Sequence, residues 1–353
     1  MFFIKTRFFS FIGDYLKVFK KNMQKIKTIG LTYDVKTDYQ FKAGDPLDAN
    51  AEFDPPSTVD MVVHTIESLG FKVKRIGNVN RLLENIDSLD VDIVFNISEG
   101  ISGRNRESQV PIILEMKGIP FIGSDALTLG LTLDKLLTKK VIIAEGLPTP
   151  KFFEAKNVED LNLDHLKFPL FVKPRFEGSS KGLSEKSRVE NTEQLKTQID
   201  FIVNTYHQPA LVEEFIWGSE FTVALIGNDP IEIFPPVQVK IDGQLEVGDL
   251  FYTFARISSD RVEYICRSDS DNPLIRKLID LARRTYLAVG CLDFGRVDFR
   301  VDKDGNPYIL EINPLPSLST EDVFMIVAKA VGISYPEILA KIIQAAAKRY
   351  NFA

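Results

Sequence analysis

Along residues 27–124 the chain alternates between short apolar runs and longer stretches in which apolar positions recur at helical spacing. The pattern predicts strands at 28–32, 72–76, 91–96 and 120–122 and helices at 58–69 and 111–117. Strands separated by helices read as a small parallel sheet with helices on its faces, because a parallel connection needs a crossover. Residues 127–209 continue as a second unit, and residues from 210 to about 347 as a third, richer in antiparallel pattern. The tail from 321 to 349 returns to helical spacing, interrupted between Gly332 and Pro336. No internal repeat or low-complexity tract breaks this order.

Residues 295–313 give the sharpest local signal. Asp304-Gly305, set between runs of β-branched and aromatic residues, predicts a two-residue hairpin turn. Centred there, the hairpin sets Asp298 opposite Glu311 and Arg296 opposite Asn313. Val297, Phe299, Val301, Tyr308, Leu310 and Ile312 then share a core face, while Arg296, Asp298, Arg300, Glu311 and Asn313 share the other. Two carboxylates and an amide oxygen suit a hard divalent cation, and magnesium with ATP phosphates is the usual client of so sparse an oxygen set. A solvated face on which arginine and aspartate pair with each other accounts for the same residues.

Two further segments fit a nucleotide. In 168–182 an apolar run, Leu170-Phe171-Val172, leads to Lys173, then Pro174, then the small-residue loop Glu177-Gly178-Ser179-Ser180-Lys181-Gly182. Such a loop brings backbone N–H groups and hydroxyls to phosphate oxygens while a lysine adds a point charge, although by itself it is also an ordinary turn. Residues 211–216 read as a buried strand ending at a hinge, with Gly218 and Glu220 opening another apolar run at 221–226. The hinge could read an adenine edge and a carboxylate could bind ribose hydroxyls, or Glu213 and Glu214 could simply be solvated at a strand end.

Taken together these pieces resemble an ATP-grasp ligase, and specifically the D-alanine–D-alanine ligase family. The resemblance is carried by Leu133-Asp134-Lys135-Leu136-Leu137-Thr138-Lys139, by Gly146-Leu147-Pro148-Thr149-Pro150, and then by the lysine and serine loop, the Glu213 to Glu220 segment and the hairpin through Pro316, in that order. It implies an α/β fold, α+β in its C-terminal part: an ATP-grasp fold preceded by a small parallel-sheet, Rossmann-like domain. The implied divisions are an extension at 1–26, the first domain at 27–125, a central ATP-grasp subdomain at 126–210 and a C-terminal one at 211–353. It also implies that Lys135 and Lys173 contact ATP phosphates, that Glu213 and Glu220 lie at adenine and ribose, and that Ser179 sits in the loop closing over the phosphates. Asp298, Glu311 and Asn313 would hold magnesium, as two ions, with manganese able to replace it. Arg296, with the backbone N–H near Ser317, would meet the oxyanion. The implied reaction phosphorylates a donor carboxylate and lets an acceptor amine attack the acyl phosphate, and lysines with carboxylate-held metal are what phosphoryl transfer needs. D-alanyl-D-alanine synthesis for peptidoglycan is the leading specific expectation, with amino acids as substrates and a homodimer as the assembly.

The departures bear on the substrate. Instead of the family's glycine-rich turn into Ser-x-Glu, residues 29–34 run into a longer polar insert at 35–50, and Glu52 is the carboxylate best placed for a substrate amine; as a helix-entry acid it has an equally plain role. The family's His-Gly segment is replaced by residues 96–107, where Glu99, Arg104 and Arg106 read either as substrate contacts or as salt bridges within the loop. In the loop 251–257 the usual lysine-tyrosine pair is Arg256-Ile257, so a phenol is missing where the family uses one, while Arg256 could still meet phosphate. A ligase of the same mechanism joining other amino acids therefore stays open, as does a nucleotide-binding sensor that has lost ligation.

Composition adds limits. In 353 residues, 44% hydrophobic and 26% charged, there is ample core for two or three α/β domains, and a net charge of −6 argues against nucleic acid as partner. Cys266 and Cys291 are too few for a disulfide framework and suit a reducing cytoplasm; His64, His165 and His207 form no catalytic or metal pattern. Residues 1–25 mix phenylalanines with lysines, a pattern that could lie on an anionic membrane surface but has no run long enough to span one. A packed extra helix, or a domain that really begins near Met23, explains them as well.

Overall fold

The computed structural model describes residues 19, 23–257, 259 and 261–353. Strands β1 (Thr28–Tyr33), β2 (Lys72–Gly77), β3 (Ile93–Ile97) and β4 (Phe121–Ile122) form the expected parallel sheet, in the order β2-β1-β3-β4. Helices cover both faces. Ile29, Leu31 and Phe95 pack against helix Pro56–Ser68 and the C-terminal helix Tyr335–Arg349, whereas Val94 meets Val79, Leu82, Val110 and Leu114 on the other side. Burial on both sides is why β3 reads as a continuous apolar run. The short helix Val79–Asn85 was missing from the sequence pattern; its cue is Asn78, whose side chain accepts from the N–H groups of Asn80 and Arg81.

A second sheet, β5 (Phe152–Ala155), β6 (Leu170–Pro174), β7 (Arg188–Val189) and β8 (Ala210–Glu214), is antiparallel in the order β5-β8-β6-β7. Leu195, Ile199 and Ile202 of helix Thr192–Tyr206 fill its core. The third sheet comprises β9 (Gly218–Ile226), β10 (Glu232–Ile233), β11 (Val237–Ile241), β12 (Val262–Cys266), β13 (Phe294–Asp302) and β14 (Pro307–Asn313), in the order β12-β11-β9-β13-β14 with β10 on β9. Helix Pro273–Ala288, opened by the Asn272 cap, buries Ile275, Leu278 and Leu281 against it. The tail forms helices Val323–Val331 and Tyr335–Arg349, separated by Gly332, as the interruption predicted. Among the described residues no single helix is long and apolar enough to cross a membrane; these two pass together by composition but bend by 111°. The membrane-surface reading of residues 1–25 falls largely outside the described residues, though Phe19 is buried with its ring 5.9 Å from that of Phe71.

The β13–β14 hairpin corrects the sequence reading in an instructive way. Asp298 does lie opposite Glu311, and Arg296 opposite Asn313. The turn, however, is one residue longer than two: the Asp302 N–H bonds to the Asn306 carbonyl, and Gly305 closes the loop at φ 78°. A register shift after Asp298 compensates, so that Phe299 faces Ile309 rather than Leu310. Ile309, not Leu310, is therefore in the core, and Leu310 turns toward the same side as Glu311.

Candidate active site

A cavity of ≈310 Å³ lies between the second and third sheets, within the size range of ligand pockets. Phe171, Phe215 and Phe251 line it with ring centroids 4.9–6.2 Å apart, and Leu310 lines it as well. Together they make an apolar slot suited to a flat base. Arg300, which the sequence placed on the chemical face, instead braces the cavity: its guanidinium donates to the carbonyls of Ile216, Gly248 and Leu250 and lies 3.1 Å from Glu220. Burial pushes the Glu220 carboxyl up to about 7 against the opposing pull of Arg300, leaving it able to bond a hydroxyl either way. Glu213 reaches the cavity too, but its two oxygens are held by Lys139 at 2.6 Å and Lys173 at 2.9 Å.

A smaller cavity of ≈50 Å³ adjoins the first, and Lys135, Gly178, Ser179, Arg296 and Glu311 line both. Asp298 faces only the larger and Asn313 only the smaller. Lys135 lies 3.4 Å from Glu311; Arg296 lies 3.4 Å from Asp298 and 3.3 Å from Asp322. Its buried Nε has no hydrogen-bond acceptor among the described residues. Burial alone would raise the Glu311 carboxyl, but Lys135, Lys173 and Arg296 outweigh it and hold it at about 2. The Asp298 carboxyl is raised by burial and by Glu311 against the pull of Arg296, as expected of two adjacent acids awaiting a shared cation. Among the described residues no group of three or more His, Cys, Asp or Glu could hold a metal alone. Two carboxylates and the Asn313 amide oxygen still fit magnesium, which keeps several ligands for phosphate and water. The loop beside them bends through left-handed conformations at Ser179 (φ 48°), Ser180 (φ 57°) and Gly182 (φ 78°), strain of the kind that gathers at ligand clamps.

The smaller cavity is walled by Glu52, Glu99 and Glu107. Glu52 is not a helix-entry acid: its Oε1 accepts from Arg106 at 2.5 Å and from the Gly178 N–H at 2.6 Å. Arg106 also donates to the Phe176 carbonyl, and Arg104 pairs with Asp134 at 2.9 Å, so both arginines reach out of their own loop. This arrangement depends on Gly100, at φ 81°, where an added Cβ would stand 2.1 Å from the Arg106 carbonyl oxygen. Gly100→Ala is expected to destabilise the protein by on the order of 2 kcal/mol and to displace Arg106. Thermal denaturation checks it, and an unchanged midpoint would refute the close approach.

Arg256 is not brought to either cavity; it pairs with Glu185 at 2.7 Å and donates to the Phe251 carbonyl. The phenols that do line the larger cavity are Tyr252 and Tyr264, hydrogen-bonded to each other. Tyr252 stands in the loop 251–257 that the sequence reading treated as lacking a phenol, but ahead of the Arg256-Ile257 pair that was compared, and Tyr264 meets it only because β12 folds back; Leu310 was missed because nothing marks the register shift.

Comparison with known proteins bears on this geometry. Residues 144–344 match the family profile described as D-ala D-ala ligase C-terminus. The D-alanine–D-alanine ligase of Carboxydothermus hydrogenoformans is 31% identical over 81% of this chain and 91% of its own length. The chain belongs to the D-alanine–D-alanine ligase family. It thus has the ATP-grasp fold and is an ATP-dependent ligase. A crystal structure of the Bacillus anthracis family member complexed with ATP superposes with a TM-score of 0.72 at 23% identity, over 92% of this chain and 99% of that one. An uncharacterized Sinorhizobium fredii protein, y4sG, is more similar in sequence than the named ligase, at 38% identity over 73% of this chain and 75% of its own.

Proposed function

We propose that this ligase uses ATP and magnesium to activate an amino-acid carboxylate as an acyl phosphate and joins it to the amine of a second amino acid. The observation that carries this is the meeting of two cavities at one set of charged groups: Lys135, Ser179, Arg296 and Glu311. With the base against Phe171, Phe215 and Phe251, the phosphates reach that junction from one side and a small substrate reaches it from the other. Lys135 and Lys173 neutralise and orient the phosphates, and the loop at Ser179 covers them. Asp298, Glu311 and Asn313 would hold magnesium, two ions or one, with manganese as a substitute; bound there, the metal supplies charge neutralisation of the transferring group. Arg296 lines both cavities at the junction, where it would meet a developing tetrahedral oxyanion. The relatives' names make D-alanine the reference for both substrates, with the product feeding peptidoglycan precursor synthesis in the cytoplasm. A second reading, other amino acids joined by the same mechanism, is favoured by the acidic wall of the smaller cavity.

Phosphate release from ATP with single and paired D- and L-amino acids tests the proposal. Release should require an amino acid, should stop on removing divalent metal with a chelator, and should be lost in Glu311→Ala. ATP hydrolysis that ignores amino acids, or ATP binding with no release under any condition, would sink it.

A further inference from the structure

We propose that Glu99 and Glu107 form a cation-binding subsite in the smaller cavity, and that one amino-acid substrate carries a second ammonium group, as a short-chain diamino acid does. The inference rests on the ligase reading above and names the substrate class of that site.

Glu107 is only 8% exposed and lines the cavity, yet its carboxylate has neither a hydrogen bond nor an ion pair among the described residues. Glu99, half-buried, lines the same cavity, and its carboxylate likewise has neither a hydrogen bond nor an ion pair among the described residues. A buried carboxylate without a partner is costly, so a fold that keeps Glu107 in that state, with a half-buried second acid beside it on the same cavity, implies something that enters it. The neighbouring cations are already committed: Arg106 to Glu52 at 2.5 Å and Glu177 at 3.5 Å, Lys181 to Glu177 at 2.8 Å. Lys135 and Arg296, which also line the cavity, are paired with Glu311 and Asp322, so Glu99 and Glu107 are left with no cation of their own among the described residues. An ordinary amino acid brings its α-ammonium together with an α-carboxylate and so no net charge, whereas a second ammonium is the cation these two acids lack. Burial, opposed by Arg106, pushes the Glu107 carboxyl to about 7, and burial with Glu107 alongside raises Glu99 well above its ordinary value. Both would ionise when an ammonium arrives. A metal ion is a poorer occupant, since no group of acids among the described residues has the arrangement to hold one. The ≈50 Å³ of space admits only a few water-sized groups, which favours a short side chain and excludes an aromatic one. An uncharged methyl in the same place would leave both carboxylates unpaired, the situation in which discrimination becomes large.

The test compares D- and L-forms of 2,3-diaminopropionate, 2,4-diaminobutyrate and ornithine with their uncharged counterparts alanine, 2-aminobutyrate and norvaline. Both phosphate release and calorimetric binding in the presence of a non-hydrolysable ATP analogue are read. A diamino acid should be preferred by roughly tenfold or more in kcat/KM, and Glu107→Gln should collapse the preference mainly through KM. Without substrate, Glu107→Gln should melt at or above the wild-type temperature, because it replaces a buried carboxyl that has no partner among the described residues with a neutral amide of the same shape; Glu107→Asp should keep part of the preference. Turnover of D-alanine with no preference for a diamino acid would overturn this inference and leave the ligase reading intact. Diamino acids bound without phosphate release would keep the subsite and overturn the ligase reading, while neither binding nor release would overturn both.

Discussion

Arg296→Ala is expected to lower kcat for amino-acid-dependent phosphate release by about 10²–10³-fold, the usual effect of removing one donor to a developing oxyanion. The expectation comes from where the side chain stands. Its strand, β13, sets it across from Asn313, and it lines both cavities with a buried Nε that no group among the described residues accepts from. Its guanidinium donates to Asp322 at 3.3 Å and lies 3.4 Å from Asp298, so the two acids aim it while Nε stays without an acceptor among the described residues. The same acids give the rival explanation, since removing the arginine leaves them unpaired and could loosen the hairpin. Arg296→Lys separates the two, because it keeps the charge and loses the planar fork. Oxyanion stabilisation predicts a near wild-type melting temperature for Arg296→Lys, a kcat still depressed, and a KM for ATP changed little in both variants. A loss confined to the KM for ATP would make Arg296 a nucleotide anchor, and restoration of full rate by lysine would reduce it to a counter-ion.

How much of this site was legible in the sequence depended on the distance over which residues had to be related. The pairing of Asp298 with Glu311 was readable because a hairpin is local, but it was reached through two compensating errors. The turn is one residue longer than Asp304-Gly305 suggests, and the shift after Asp298 takes that residue back. Neither leaves a mark in composition; they show in Leu310, moved from core to cavity, and in Tyr308, which pairs with Arg300 outside the core. The alternation of strands and helices in the first sheet was legible for the same local reason. Arg106 was visible only as one basic residue in a polar loop, because its partners Glu52 and Glu177 come from two other parts of the chain. Arg256 failed for the converse reason: the loop motif around it looked local, but its pairing with Glu185 turns it away from the cavities.

Replacing Glu213 with leucine is expected to be the most destabilising single change at this site, costing about 3–5 kcal/mol, as for a buried ion pair that loses one partner. The sequence reading put Glu213 at the adenine, but the structure gives it two lysines, one on each oxygen, and all three side chains are buried. Lys139, at 1% exposure, shows how far the charge depends on that acid: burial already holds its amine down at about 8 from an ordinary 10.5 despite Glu213 beside it. Between those values the unfolded chain carries a proton on Lys139 that the folded chain has released, so stability rises with pH across that window. Without Glu213 the folded value falls further and the window widens downward. Glu213→Leu should therefore regain part of its lost stability between pH 7 and pH 10, and Glu213→Leu combined with Lys139→Leu should recover part of it at pH 7, the remainder being the cost of leaving Lys173 without Glu213. Urea denaturation at the two pH values measures this. A cost below about 1 kcal/mol at pH 7, or a double variant no better than the single, would return Glu213 to the base-contacting role. If the charge bridge is right and Lys173 has the phosphate-binding role proposed above, the KM for ATP should also rise in Glu213→Gln, because Glu213 is what holds Lys173 at the larger cavity.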